Sequence, residues 1–290
     1  MGSFFKLLRP HQWVKNMLIF VPLITAHQLF NPHIFRIALV SAVTFCGVSS
    51  ALYIFNDILD RHSDRTHPVK RFRPIAAGTI SIVAAASIAG VLFCAAMTGA
   101  FLYSNSLMGF LFLYAMLSAS YSLFLKRLFL VDVFVLTGLY LLRLGVGFVV
   151  TGLAYSAWLL AFAVFFFLGL ALLKRAIELR EVVQAGEFVS RRGYRKVDFP
   201  VVSQFGMVSS CISSLVLVLY LNSDQMIRLY KHPIILWLVC PLVLFWTIRL
   251  WALMFRGEVN EDPVRFVIRD IPSYGVSIAI GAVLLGAVGL

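Results

Sequence analysis

Long apolar runs alternate with short charged connections along most of the chain. A run of about 20 apolar residues is long enough to cross a bilayer as a helix. Nine such runs are read at 13–30, 34–56, 79–100, 106–125, 129–151, 155–174, 204–222, 233–254 and 272–290. The first is the weakest, because Pro22 and Gln28 interrupt it. It lacks the small-residue cleavage pattern of a removable signal peptide. The pattern predicts an all-α, polytopic membrane bundle of about nine transmembrane helices. Residues 1–290 are then a single integral-membrane domain, with no room for a separate soluble one.

Composition agrees. Hydrophobic residues make up 61% of the chain and charged residues only 13%, with a mean hydropathy of +0.91. A soluble domain carries about a quarter charged residues. Charge also sets an orientation. The N-terminus and the connections 57–78, 126–128, 174–203 and 249–271 hold 21 of the 25 Lys and Arg. By the positive-inside rule these segments face the cytoplasm and the C-terminus lies outside. The net charge of +12 suits an anionic membrane surface and anionic substrates, and gives no reason to invoke nucleic acid. Cys46, Cys94, Cys211 and Cys240 stand singly in apolar runs and read as small buried hydrophobes.

The candidate chemistry collects where the second run ends, in Asn56-Asp57-Ile58-Leu59-Asp60-Arg61-His62-Ser63-Asp64. If the helix continues, Asp57, Asp60 and Asp64 fall at i, i+3 and i+7 on one face. Carboxylates so arranged suit a hard divalent cation, which takes oxygen ligands and bridges to phosphates. Lys70, Arg71 and Arg73 follow at once and suit the rest of a phosphorylated substrate. Pro68 and Pro74 bracket this basic cluster and stiffen it. The alternative is a solvated, charge-balanced loop.

Other charged positions carry two readings each. In Arg9-Pro10-His11-Gln12-Trp13-Val14-Lys15-Asn16, Trp13 sits at headgroup depth and Arg9 and Lys15 among lipid phosphates, or Lys15 serves substrate. Tyr121 and Lys126 close the fourth run as interface anchors or as substrate contacts. Asp132 and Arg143 lie eleven residues apart on one helix face. Both are expected to open on one polar cavity, unless each bonds a neighbouring helix. Lys174 and Glu178 make an i, i+4 surface pair, with Arg175 beside them at the same helix end. In Glu261-Asp262-Pro263, Asp262 is the expected N-cap of a short helix with Pro263 in its first turn, and contact with a sugar hydroxyl or a second metal remains open.

On these residues the chain resembles the UbiA-type superfamily of membrane prenyltransferases. The carriers are the NDxxDxxxD pattern at Asn56–Asp64, the number of spans and the charged loops on one side. It is most similar to the branch that transfers phosphoribose to decaprenyl phosphate. There the carriers are Arg9–Asn16, Asp64–Gly78, Tyr121 with Leu125-Lys126, Lys174-Arg175 with Glu178, and Glu261-Asp262-Pro263. Aromatic prenyltransferases of the superfamily carry a second Asp-rich motif after the sixth span. Here that place reads Lys174-Arg175-Ala176-Ile177-Glu178, which counts against a prenyl diphosphate donor.

The resemblance implies a UbiA-like fold and Mg2+-dependent transfer of 5-phosphoribose from phosphoribosyl diphosphate to a polyprenyl phosphate. It places this at the cytoplasmic face of a bacterial-type inner membrane, in cell-envelope synthesis. Asp57, Asp60 and Asp64 would hold Mg2+, or Mn2+, with Asn56 orienting them. Lys70, Arg71 and Arg73 would meet the leaving diphosphate, and Lys15, Tyr121, Lys126, Arg143, Lys174, Arg175, Glu178, Glu261 and Asp262 would complete the substrate contacts. Two rivals stand beside this reading: a prenyltransferase acting on an aromatic acceptor, and a lipid carrier or transporter. Lipid-facing helices also allow a homo-oligomer, and the sequence fixes no oligomeric state.

Overall fold

The structure is a computed structural model that describes residues 2–66, 69–184, 193–259 and 262–289. Among these residues eight helices are long and apolar enough to cross a membrane. They are α1 (Pro32–Leu59), α2 (Ile82–Tyr103), α3 (Asn105–Leu123), α4 (Val131–Thr151), α5 (Ala157–Gln184), α6 (Phe199–Leu221), α7 (Val239–Arg256) and α8 (Ile271–Val288). Eight of the nine expected runs thus become helices.

The run expected at 13–30 does not. It becomes a 3-10 stretch, Pro10–Phe20, followed by the five-residue helix Val21–Thr25. Arg9 takes a left-handed conformation (φ 53°) before Pro10, Pro22 has no N–H to continue a helical ladder, and His27 (φ 55°) turns the chain again. Neither piece has the length to span a bilayer.

Helix starts follow from local chemistry. Asn31 Oδ1 accepts from the His33 N–H at 3.1 Å and Pro32 occupies the first turn, which opens α1. Ser81, Ser104 and Asp270 cap α2, α3 and α8 in the same way. The expected cap at Asp262 is present too: it accepts from the Val264 N–H at 3.1 Å and starts the short helix Pro263–Val267.

By internal packing the chain divides into two units, Met1–Lys126 with Leu139–Ala154, and Arg127–Gly138 with Tyr155–Leu290. In the first, α1 is the central element and packs against α2, α3 and the Pro10–Phe20 stretch. Leu7, Ile54, Ile75 and Ala85 form a core cluster at the Asp-rich end of α1. Gly147 of α4 makes a close approach possible here, since a Cβ on it would meet the Ile19 carbonyl oxygen at 2.4 Å. In the second unit α5 packs along α6, which packs on α7, and α7 on α8. Its core joins Val133, Leu173, Ile177, Tyr194, Leu250 and Met254. Exposed Val83, Leu102 and Ile278 give the outer helices an apolar surface suited to lipid.

Candidate functional site

In the first unit, the sequence Asn56–Asp64 stays helical in hydrogen bonding although α1 formally ends at Leu59. The Asp60 N–H donates to the Asn56 carbonyl at 2.9 Å, and the Asp64 N–H to the Asp60 carbonyl at 2.8 Å. The three carboxylates therefore keep the expected face. Among the described residues no group of three or more His, Cys, Asp or Glu is placed to hold a metal ion. Each acid is instead matched with a cation. Asp57, only 3% exposed, accepts from Arg9 and, at 3.0 Å, from Arg73 Nη1. The same Nη1 donates to Asp64 Oδ2 at 2.6 Å. Asp60 takes Lys126 Nζ at 2.7 Å and the Asn56 amide at 3.0 Å, while Asn56 Oδ1 lies 3.3 Å from the same ammonium.

The chemistry of this cluster follows from desolvation. Buried carboxylates are tolerated only with charge compensation, and Arg73, extended ahead of Pro74, reaches both Asp57 and Asp64 with one nitrogen. Burial pushes the Asp64 carboxyl above the ordinary carboxylate value, against the opposing pull of Arg73. Lys70 bears on Asp64 electrostatically, whereas Arg71 is exposed and stacks on the Phe72 ring at 4.8 Å. Arg65 ties this segment to the next loop by donating to the Ala76 carbonyl at 3.1 Å. Pro68 lies outside the described residues.

The N-terminal stretch is built into this unit. Trp13 Nε1 donates to Ser50 Oγ at 2.9 Å, and Ser50 Oγ donates to the Leu8 carbonyl at 2.9 Å. Arg9 bonds Asp57 and lies over the Tyr53 ring at 5.5 Å. The lipid-anchor reading of Arg9 and Trp13 is therefore replaced by contacts to α1. Arg9 is the residue that spacing arguments missed, and its place in the Arg9–Asn16 motif was the available signal. Lys15 Nζ stands over the Tyr140 ring at 5.7 Å. Arg143 Nε donates to Asn16 Oδ1 at 2.9 Å and its Nη2 to the Tyr114 hydroxyl at 2.7 Å. Tyr121 is half-buried near the end of α3.

In the second unit, Asp132 is wholly buried and accepts from Arg175 and from the Tyr194 hydroxyl. Arg175 also donates to Glu178. Burial and the bond to Asp132 hold the Tyr194 hydroxyl above its ordinary value, so it stays a donor. A left-handed Gly193 (φ 74°) brings Tyr194 in; a Cβ on Gly193 would meet the Arg127 carbonyl oxygen at 2.4 Å. Lys174 pairs with Asp262 at 2.7 Å rather than with Glu178, because Arg175 takes Glu178 one step closer along the helix. Arg180 donates to the carbonyls of Met254 and Val259. Glu261 lies outside the described residues. Asp132 and Arg143 are each satisfied in separate networks, so the single polar cavity expected for the pair is not what holds them.

Residues 17–269 match the UbiA prenyltransferase family. The chain belongs to that family. An uncharacterised protein of Sinorhizobium fredii, y4nM, is 36% identical over 97% of this chain, a match that takes in 55% of that relative. The nodulation protein NoeC of Azorhizobium caulinodans is 28% identical over 96% of this chain and 91% of its own length. The decaprenyl-phosphate phosphoribosyltransferase of Corynebacterium glutamicum is 35% identical over 60% of this chain and 54% of its own. Among solved structures, a UbiA homolog from Archaeoglobus fulgidus bound to GPP and Mg2+ superposes with a TM-score of 0.72 at 15% identity, covering 99% of this chain and 100% of that one. The same homolog has been solved with Cd2+, so divalent metals bind within the family. This UbiA chain has the family's all-α fold and is an integral membrane protein.

Proposed function

We propose that this UbiA-family protein transfers 5-phosphoribose from phosphoribosyl diphosphate to a polyprenyl phosphate at the cytoplasmic membrane face, releasing diphosphate. The observation that carries the reading is the interleaving of Asp57, Asp60 and Asp64 with Arg9, Arg73 and Lys126 in one cluster. Carboxylates alone would suit a bare cation, and cations alone a bare phosphate. The alternation suits a diphosphate that arrives with a metal. The 35% identity to a decaprenyl-phosphate phosphoribosyltransferase, over 60% of the chain, supports the donor. The occupation of the α5 end by Lys174, Arg175 and Glu178, where a prenyl diphosphate donor would want a second acidic motif, supports it further.

Asp57 and Asp64 fit two ligands of a hard divalent cation. Their oxygens already converge on one positive atom, Arg73 Nη1, and substrate phosphate oxygens would complete the set. Mg2+ or Mn2+ bound there would act as a Lewis acid on the diphosphate. Asp60 and Asn56 hold the Lys126 ammonium, which with Arg73 and Lys70 offers cationic donors to the charge that builds on the leaving group. The bond from ribose C1 to the diphosphate oxygen breaks through an oxocarbenium-like state. An oxygen of the polyprenyl phosphate forms the new bond to C1. That oxygen is anionic at neutral pH, so no proton has to be removed from it. The main work of the protein is to gather two anions in one place.

The test is to incubate the purified protein with Mg2+, a polyprenyl phosphate and radiolabelled phosphoribosyl diphosphate. Label is expected in the organic phase and is expected to be lost with EDTA. A parallel tube holds a prenyl diphosphate and 4-hydroxybenzoate. A prenylated aromatic there, with no label transferred in the first tube, overturns the proposal.

A further inference from the structure

Most of the partly or fully buried cations described above are held by acids. Arg9 and Arg73 meet Asp57, Lys126 meets Asp60, Lys174 meets Asp262, and Arg175 meets Asp132 and Glu178. Arg143 stands apart from these inside a membrane span. It is 3% exposed, and its hydrogen-bond partners are all neutral: Asn16 Oδ1, the Leu139 carbonyl and the Tyr114 hydroxyl, with the Tyr114 and Tyr140 rings at 4.7 and 5.8 Å. Among the described residues no ion pair forms at Arg143. It lies twelve residues into α4, about 18 Å along the helix axis at 1.5 Å per residue and so near the middle of the span.

A guanidinium at that depth is costly, and in membrane proteins such a charge marks a ligand or an ion path. Neutral acceptors take three of its N–H groups and two tyrosine rings face it, but no anion among the described residues meets its charge. Three of its donors are used, and a guanidinium has about five, which leaves the pair needed for a bidentate contact. Lys15 adds a second positive charge against the Tyr140 ring that Arg143 also faces. Apolar side chains close the rest of the site: Phe45, tilted against Tyr114, with Leu139 and Leu144 buried alongside in α4.

We infer that Arg143, with Lys15 and Asn16, seats a phosphate monoester, the head group of the polyprenyl phosphate acceptor. The inference rests on the reaction proposed above and assigns the acceptor phosphate to a different set of residues from the Asp57–Asp64 cluster. Asn16 and Tyr114 hold the guanidinium plane, Arg143 grips two phosphate oxygens, and Lys15 supplies the second charge of the dianion. The 5-phosphate of the sugar donor has the same chemistry, so the experiment separates the two sources.

The 290-residue protein in nanodiscs is titrated with farnesyl phosphate, farnesol or ribose 5-phosphate, without divalent metal or phosphoribosyl diphosphate, and melting temperature and affinity are read. Wild type and Asp57→Asn are expected to bind farnesyl phosphate alike and the other two ligands far more weakly. Arg143→Lys keeps part of the affinity, while Arg143→Met loses about tenfold or more, the size of a lost charge-assisted contact. Should Arg143→Met not fold, Lys15→Met decides, since Lys15 is only half-buried; a severalfold loss is expected. Unchanged farnesyl phosphate affinity in the Arg143→Met or Lys15→Met protein overturns the seat and leaves the proposed reaction standing. So does an Arg143-dependent affinity for ribose 5-phosphate in place of the lipid. Arg143-dependent lipid binding without label transfer upholds the seat and overturns the reaction.

Discussion

Replacing Arg175 by Met tests whether that arginine is scaffold or substrate contact. Arg175 is 1% exposed and Asp132 0%, so both charges of the pair are out of water. Met fills much of the arginine's volume but leaves the Asp132 carboxylate with the Tyr194 hydroxyl as its remaining side-chain partner at 2.5 Å. Breaking a buried pair from one side costs about 3–5 kcal/mol, because the surviving charge is uncompensated. Glu178, a third exposed, turns to water and adds little to that figure. Arg175→Met should therefore unfold at distinctly lower temperature or denaturant. The double variant Asp132→Asn/Arg175→Met, with both charges gone, should recover part of the loss. A double-mutant cycle in detergent, followed by tryptophan fluorescence, is expected to give a coupling of about 2 kcal/mol or more. Additive losses would refute the pairing. A protein that melts like wild type yet has lost transfer would refute the scaffold reasoning and return Arg175 to the substrate.

Asp57→Asn and Asp60→Asn are expected to cut label transfer by about a hundredfold or more while the protein still elutes as a folded species in detergent, because each removes charge aimed at the leaving group's surroundings; wild-type turnover in either would remove the cluster from the chemistry. Lys174→Ala opens a partly exposed pair with Asp262, so the unfolding free energy should fall by no more than about 1 kcal/mol, and a larger fall would mean the pair does more than cap Pro263–Val267. Asp270 is held below the ordinary value of 3.8, its bonds from Arg249 and Ser273 outweighing burial. Its contribution is thus present above that pH and lost as the pH falls through the lowered value. Asp270→Asn should destabilise near pH 7 and change little in strong acid, and equal losses at both would contradict the assignment. Asp64 has the opposite shift, raised by burial, so it takes up a proton at higher pH than an ordinary carboxyl and frees Arg73.

The spans were legible because hydrocarbon leaves the backbone only one economical solution here, a helix of about 20 residues. Local chemistry was legible too: an Asp before Pro263 was the expected cap of a short helix, and it caps one while also meeting Lys174. The stretch 13–30 misled because its mean apolarity matched a span while its backbone did not. Pro22, without a donor, and His27 at positive φ break the ladder, and only Pro22 and Gln28 were visible as warnings.

The site was legible as a face but not as a set of partners. Helical periodicity placed Asp57, Asp60 and Asp64 together, and it could not say that Arg9 would arrive from 48 residues upstream or Lys126 from 66 downstream. Buried charges make the existence of a partner obligatory, while sequence distance says nothing about which partner wins. Lys174 illustrates the point. Its neighbour at i+4 was the obvious acid, yet Arg175 claimed Glu178 from i−3 and Lys174 reached Asp262, 88 residues away. Asp132 and Arg143 show the converse: one helix face, eleven residues apart, and two unrelated sets of partners. A charge inside a membrane helix is therefore better read as a demand that some other element must meet. Arg143, where neutral groups meet the hydrogen bonds and none meets the charge, is the place where that demand points outward to a ligand.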